Sequence, residues 1–269
     1  MEPVPRYLGV SMLDGTRPLF LVVVKGKNVP GALGDIATRM GKAGLNILVT
    51  NDLSVPESTD STVSFVLETR GEGAEEAIRK TVTSSPFVVD VWVKRSDSRL
   101  MIDDFAFPLM FYPSGRAVIF PQTGISAMFR DTVRMFGTGG ESILFRAGFS
   151  VGTTGTDDIM KAMGGDTQLQ HAASFMGLYR ALGWGRLELL EASDDFRRFK
   201  LKLSQGFESD SAKSNRPNCH FTRGMISGSC ERLFGSPVVC VEEKCAAAGD
   251  PFCVFSVSSR DGLSKSGSS

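Results

Sequence analysis

Three cysteines and one glutamate recur near the end of the chain at intervals that allow them to meet. Cys219, Glu242, Cys245 and Cys253 are separated by 23, 3 and 8 residues. Three thiolates and one carboxylate oxygen are a possible tetrahedral ligand set for zinc. The turn sequence at residues 249–251, Gly-Asp-Pro, can fold the chain back so that Cys245 approaches Cys253.

The same cysteines have two other interpretations. Unpaired cysteines are often buried and pack as small hydrophobic side chains, and these intervals are not those of a zinc finger. Cys245 and Cys253 can also form a reversible disulfide, which would act as a thiol switch. The spacing alone therefore leaves metal binding, core packing and redox switching open.

Composition limits the classes of protein to which the chain can belong. A length of 269 residues favours about two domains, and 30 basic residues balance 30 acidic ones. This balance gives no electrostatic signature of nucleic-acid binding. The longest apolar run, residues 19–24, is too short to span a bilayer, and no signal peptide is visible. Five cysteines, an odd number, fit a reducing compartment. We therefore expect a cytoplasmic protein with no membrane segment.

Residues 1–97 are predicted to form a domain with the element order βαββαβ. Strands are expected at residues 19–24, 46–53, 61–69 and 87–94, and helices after Asn28, which can act as a cap, and at residues 74–82. This order is the ferredoxin-like arrangement of an α+β fold.

The Asn-x-Pro-Gly-x-Leu turn at residues 28–33, together with this element order, resembles an ACT domain. ACT domains commonly bind amino acids near the first strand-to-helix loop, often across a pair of domains. The resemblance implies ligand contacts from the residues of this loop: Asn28, Val29, Gly31, Ala32 and Leu33. A glycine-bearing helix N-terminus offers N–H groups to a carboxylate, although Pro30 and Gly31 could simply shape the turn. The exposed sheet edges favour a homodimer.

A polar segment at residues 98–104 is predicted to link this domain to a second, mixed α/β domain at residues 105–260. A flexible tail is predicted for residues 261–269. Within the second domain, a hairpin around residues 112–116 precedes helices at 125–136, 141–149, 159–163 and 168–182. Residues 156–158 are expected to cap the third of these helices. Strands at 186–192 and 198–204 are followed by a helix at 219–234 capped by Asn218, and by strands at 237–241 and 252–257.

This second domain resembles the 4-vinyl reductase domain family in three motifs: Gly-Met-Ile-Ser-Gly at residues 224–228, Glu-x-x-Cys at 242–245, and the segment 245–253. The family includes proteins tied to bacteriochlorophyll vinyl reduction and the sensor halves of regulators of aromatic-compound breakdown. Those sensors hold a phenol-like ligand beside a zinc ion bound by a Cys, a Glu and two more Cys at the same intervals. The resemblance implies a structural zinc site at Cys219, Glu242, Cys245 and Cys253.

A stripe on the helix at residues 168–182 is a candidate wall for a small apolar or aromatic ligand. His171, Phe175 and Tyr179 follow one another at intervals of four and share one helical face. The same pattern also fits a core helix in which His171 is hydrogen-bonded.

Two ligand-binding modules without a catalytic constellation or an output domain predict a small-molecule sensor that acts on a partner protein, whose identity the sequence leaves open. The alternative is an enzyme or accessory protein of tetrapyrrole vinyl reduction. That alternative is weakened because the sequence has neither a dinucleotide fingerprint nor a four-cysteine iron–sulfur run. Residues 148–152 match the Gly-x-Ser-x-Gly nucleophile elbow, but they lie in a predicted helix rather than between a strand and a helix.

Overall fold

A computed structural model describes residues 11–13, 18–54, 58–69, 73–96, 100–111, 115–163, 168–210 and 212–259. The chain divides into two compact units, residues 1–109 and 110–269. Among the helices described in these ranges, none is both long and apolar enough to cross a membrane. The tail predicted at residues 261–269 lies outside them.

The first unit is built on a four-stranded antiparallel sheet. Its elements are β1 (Ser11–Leu13), β2 (Leu19–Lys27), α1 (Ala32–Lys42), β3 (Asn46–Asp52), β4 (Asp60–Glu68), α2 (Ala74–Thr83), β5 (Val88–Arg95) and β6 (Leu100–Ile102). The strand order in the sheet is β3-β4-β2-β5, and β1 pairs with β6 in a separate antiparallel ribbon.

Both faces of β2 are buried, which explains its continuous apolar run. On one face its residues pack with β4 and the two helices; this cluster includes Val22, Val24, Phe65, Ile36, Met40, Ile78 and Val82. On the other face the buried residues are Leu19, Leu21, Val23, Val66 and Met101. Met101, in β6, thus packs with residues of the main sheet.

The structure corrects two expectations in this unit. The polar composition of residues 98–104 predicts a linker, whereas Leu100–Ile102 forms β6 and the division between the units follows Leu109. Asp103 is buried and accepts a hydrogen bond of 2.8 Å from the Ser64 hydroxyl, which explains how a charged segment belongs to the unit. Asn28 does not cap α1, because its side-chain amide donates to the Ser58 carbonyl and Gly31 is the residue that precedes the helix.

In its described residues, the second unit combines four α-helices with a four-stranded antiparallel sheet. Its elements are β7 (Met110–Phe111), β8 (Gly115–Arg116), α3 (Gln122–Phe136), α4 (Thr138–Met163), α5 (Gln168–Ala181), β9 (Arg186–Ala192), β10 (Arg198–Ser204), α6 (His220–Phe234), β11 (Val238–Lys244) and β12 (Cys253–Ser259). The sheet order is β11-β12-β10-β9, and β7 pairs with β8. The sheet and α6 share one buried cluster, which includes Leu201, Leu203, Phe255, Val257, Met225, Ile226 and Phe234.

Helix α4 is a single helix of 26 residues where the sequence predicts two shorter ones. Residues 156–158, which resemble a helix cap, lie inside it. Ser150 also lies inside it, and its hydroxyl donates to the Arg146 carbonyl at 3.2 Å. The nucleophile-elbow interpretation is therefore wrong, because that motif requires a strand before the serine.

Glycines let α4 and α6 pack backbone against backbone. A Cβ atom at Gly148 would lie 2.0 Å from the Phe221 carbonyl oxygen, and one at Gly224 would lie 2.0 Å from the Phe145 carbonyl oxygen. One turn further along, Gly152 and Gly228 show the same approach, at 2.1 Å from the carbonyl oxygens of Met225 and Phe149. The two helices run in the same direction, because the contacts advance together along both sequences.

We expect Gly148→Ala and Gly224→Ala to destabilise the second unit by about 3 kcal/mol or more, because a Cβ at either position overlaps backbone that cannot rotate away. The matched control is Gly155→Ala in the same helix. A Cβ there meets nothing within 4 Å, and alanine has a helix propensity about 1 kcal/mol better than glycine. Urea unfolding followed by circular dichroism measures the three variants, and equal losses in all of them would contradict the packing.

Candidate metal centre

Four candidate ligands converge from three segments of the second unit. Cys219 is the residue before α6, Glu242 lies in β11, Cys245 follows β11, and Cys253 is the first residue of β12. Since β11 and β12 pair as antiparallel neighbours, the turn between them returns Cys253 towards Cys245. One ligand atom from each of the four residues lies within 4.8 Å of the others.

The donor atoms point towards one another in a buried space. The Cys219 sulfur lies 3.8 Å from the Cys245 sulfur and 3.8 Å from the Cys253 sulfur. All three cysteines are fully buried, and Glu242 is 9% exposed. Glu242 accepts a hydrogen bond of 2.9 Å from the Cys219 backbone N–H through Oε2, while its Oε1 is buried without a hydrogen-bond partner among the described residues. One carboxylate oxygen is thus left to bind another group.

The turn between β11 and β12 is held by its own hydrogen bonds. The Cys245 N–H donates to the Asp250 carboxylate at 2.9 Å, and the Asp250 N–H donates back to the Cys245 carbonyl at 3.2 Å. Gly249 has a φ of 105°, in the left-handed region that favours glycine. The Ala246 N–H donates to the Cys253 sulfur at 3.3 Å. The structure thus has the reversal that the Gly-Asp-Pro sequence predicts.

The candidate ligands differ in the direction in which their pKa values are shifted. Hydrogen bonds from the Cys219 and Cys245 thiols lower the pKa of Cys253 to about 4. Hydrogen bonds with Cys245 and Cys253, together with burial, raise the pKa of Cys219. Burial raises the pKa of Glu242 to about 7. The cluster therefore accepts one negative charge readily and resists further ones, so ionisation of all four ligands requires a compensating cation.

A second buried carboxylate, Glu208, caps α6 beside this cluster. Its oxygens accept hydrogen bonds from the backbone N–H groups of Phe221 at 3.0 Å and Thr222 at 2.8 Å. Burial raises the pKa of Glu208 to about 7, although the two N–H groups act in the opposite direction. The sequence predicts a polar loop at residue 208, and capping residues normally lie next to their helix, so no local pattern marks this contact. Asn218, the predicted cap, is not the N-cap residue, which is Cys219.

The predicted stripe on α5 does not line one cavity. Phe175 borders an apolar cavity of about 30 Å³ between α5, the sheet and α6. Tyr179 is buried elsewhere, with its hydroxyl 3.5 Å from the Thr222 hydroxyl and its ring edge-on to Trp184. His171 is also buried, and its Nε2 has no hydrogen-bond partner in the described part of the chain.

The loop before α1 and the first two residues of α1 provide the other candidate ligand residues. Val29 and Leu33 are about half exposed, Ala32 is buried, and Gly31 has a φ of 88°. Asn28 is held by its hydrogen bond to Ser58. The five residues thus form a turn whose apolar side chains partly face solvent.

We expect Glu208→Gln to destabilise the second unit by about 1–3 kcal/mol at pH 5, because the amide leaves one α6 N–H without an acceptor. The loss should be larger at pH 5 than at pH 8. The pKa of Glu208 in the folded state, about 7, lies above the ordinary glutamate value of 4.5. Folding therefore favours the protonated form, and the contribution of Glu208 to stability falls as pH rises from 4.5 through 7. Urea unfolding across this range measures the effect. The control is Glu191→Gln, at an exposed position, which should leave the free energy of unfolding nearly unchanged. A loss of stability in Glu208→Gln that grows as pH rises would contradict the raised pKa of Glu208.

Comparison with known proteins identifies a domain in the second unit. Residues 205–259 match the V4R domain family. The chain is 38% identical over 50 residues to an uncharacterized protein of Methanocaldococcus jannaschii; this match covers 18% of the chain and 22% of that protein, well under two thirds of its length.

Two solved structures are similar to the chain. The phenol-responsive sensory domain of the transcription activator PoxR, solved with phenol, has a TM-score of 0.49 and 18% identity over 56% of this chain and 82% of that one. A vinyl-4-reductase family protein from M. jannaschii has a TM-score of 0.38 and 22% identity over 54% of this chain and 83% of that one. The match to the V4R domain, at residues 205–259, includes all four candidate ligands: Cys219, Glu242, Cys245 and Cys253.

Proposed function

We propose that the protein is a small-molecule sensor whose second unit is stabilised by a zinc ion bound to Cys219, Glu242, Cys245 and Cys253. The observation that carries the proposal is the convergence of these four donors in a buried space, with one carboxylate oxygen left without a partner. The match of residues 205–259 to the V4R domain supports it, because that match includes all four residues.

The sulfur spacing fits zinc. A tetrahedral ion with Zn–S bonds of about 2.3 Å places its sulfur ligands about 3.8 Å apart, and the two measured sulfur distances are both 3.8 Å. Glu242 Oε1 would supply the oxygen ligand. Four protein ligands leave no position for a water molecule, so the ion would have a structural role. It would tie the start of α6 to the turn between β11 and β12.

The ligand of the second unit is proposed to be small and apolar or aromatic. The cavity between α5, the sheet and α6 is lined mainly by apolar side chains, which include Ala172, Phe175, Phe196, Phe199, Leu201, Ile226 and Leu233. Its volume of about 30 Å³ is smaller than the 150 Å³ or so that a benzene-sized cavity requires. Binding would therefore displace the half-buried side chains at its edge, such as Phe175 and Met176. The displacement of these α5 side chains is the proposed signal that a ligand occupies the cavity.

The first unit is proposed to be an ACT-like regulatory module. Its order of elements and its strand order β3-β4-β2-β5 are compatible with the ferredoxin-like arrangement of that family. An amino acid would bind at the loop of residues 28–33, and the exposed sheet edges would pair two copies into a homodimer. The sensor would act through a partner protein that responds to the change in either unit.

Protein purified without chelators should contain about one zinc ion per chain, measured by native and inductively coupled plasma mass spectrometry. Cys245→Ser and Cys253→Ser should lose the ion and unfold far more readily, because structural zinc contributes on the order of 10 kcal/mol to folding. Cys230→Ser and Cys240→Ser are the matched controls, since both residues are buried cysteines outside the cluster, and they should retain zinc. Wild-type stability in either cluster variant would refute the structural role. A Cys245–Cys253 disulfide in place of zinc would favour the thiol switch.

A thermal-shift panel of small aromatic compounds and amino acids should identify stabilising ligands, because a compound that binds only the folded state raises the melting temperature. The response to phenol-like compounds should disappear in Ala172→Phe, which fills the apolar cavity. Ala173→Phe is the control on the same helix, at an exposed position, and should preserve the response. An amino-acid response should survive both substitutions. If no aromatic compound stabilises the wild-type protein, the proposed ligand class is wrong.

A further inference from the structure

A second and larger cavity lies beside the metal centre, between α3, the first turns of α4 and the segment that leads into α6. Its volume is about 310 Å³, at the lower end of the range for small-molecule sites. The apolar side of its lining includes Phe129, Val133 and Leu144, and the basic side includes Arg130, Lys213 and Arg216.

The apolar side of this cavity is a fixed wall. Phe129 and Leu144 are both nearly fully buried and pack in one cluster with Phe207. The Phe129 ring centre lies 5.1 Å from that of Phe221 and 6.1 Å from that of Phe207, and the latter two rings meet edge to face at 6.0 Å. Three rings in mutual contact hold the wall in place before any ligand enters.

The polar side has an excess of positive charge. Three cationic side chains and two carboxylates, Glu141 and Glu208, line the cavity, which gives a net charge of +1 when Glu208 is ionised and His220 is neutral, and +2 when Glu208 is protonated. Both carboxylates have partners: Glu141 forms an ion pair with Arg216, and Glu208 accepts the two N–H groups of α6. Arg130 and Lys213 have no acidic partner within ion-pair distance in the described part of the chain. Their charges remain available to an anion.

We propose that this cavity is a second ligand site, which binds a small carboxylate with an apolar body. The carboxylate would lie between Arg130 and Lys213, where charge-assisted hydrogen bonds replace its water, and the apolar body would pack on Phe129, Val133 and Leu144. This site is separate from the apolar cavity of the proposed sensor function, whose lining includes none of these residues.

The site also adjoins the metal centre. Asn218 and His220, which flank Cys219, both line the cavity. The Asn218 side-chain oxygen lies 3.5 Å from the Cys245 sulfur. A ligand in this cavity therefore contacts the segment that positions the first donor of the metal cluster.

Titration calorimetry of the zinc-saturated full chain with benzoate and hexanoate tests the proposal. Both should bind at least tenfold more tightly than benzyl alcohol, which lacks the negative charge. Both should also bind at least tenfold more tightly than acetate, which lacks the apolar body. The affinity for benzoate should fall as salt is raised, because salt screens the basic side chains at the mouth. Arg130→Gln combined with Lys213→Gln should weaken benzoate binding at least tenfold. Arg134→Gln, one turn along α3 and outside the cavity, should not.

Three results would overturn the proposal. The first is the absence of saturable binding of either carboxylate to the wild-type protein. The second is unchanged benzoate affinity in the Arg130 and Lys213 single variants and in the double variant, each checked for its zinc content and melting temperature. The third is loss of benzoate binding in Ala172→Phe, which would place the ligand in the apolar cavity. Because phenol-like compounds are the probe for that other cavity, failure here leaves the proposed sensor function intact.

Discussion

The burial of three sulfurs and a carboxylate in one place determines how the second unit is assembled. None of these groups is stable there alone, because an ionised thiolate or carboxylate away from water carries a large desolvation penalty. The surrounding chain reduces this penalty with backbone N–H groups: Cys219 donates to Glu242 and Ala246 donates to Cys253. The start of α6, the end of β11 and the first residue of β12 are therefore fixed relative to one another.

The start of α6 is unusual in how its free N–H groups are satisfied. Helices generally use the side chain of the residue just before them, but α6 uses two buried carboxylates from distant segments, Glu208 and Glu242. Both lie at the positive end of the helix dipole, which opposes the rise in pKa that burial causes in each of them. The helix thus begins where the tertiary structure provides acceptors, and Asn218 is left to contact the sulfur of Cys245.

Regular side-chain patterns were sufficient to predict part of this structure. Strand β10 was predicted with its observed bounds, because Phe199, Leu201 and Leu203 alternate with lysines, and β9 was predicted equally well. In these strands the information lies in neighbouring residues. The set of Cys219, Glu242, Cys245 and Cys253 was implied by the resemblance to the 4-vinyl reductase family, because their spacing alone left core packing and a thiol switch open. The structure brings the ligand atoms of these four residues within 4.8 Å of one another.

The features that sequence reasoning missed depend on contacts between distant segments. The glycines of α4 suggest breaks in a helix, yet Gly148 and Gly152 are the residues that allow α6 to approach. The polar segment around residue 100 suggests a linker, yet Met101 is buried in the core of the first unit. The capping role of Glu208 and the charged cavity around Arg130 are likewise visible only once α3, α4 and α6 are placed together.

Helix α6 borders both cavities of the second unit: His220, at its first turn, lines the charged one, and residues from Ile226 to Phe234 line the apolar one. The glycine contacts pack α6 closely against α4. A displacement at one end of α6 would therefore also strain the contacts along the rest of the helix pair. Occupants of the two cavities would then be thermodynamically linked. If an occupant of one cavity changes the affinity of the other cavity for its own ligand by some factor, the second occupant changes the affinity for the first by the same factor.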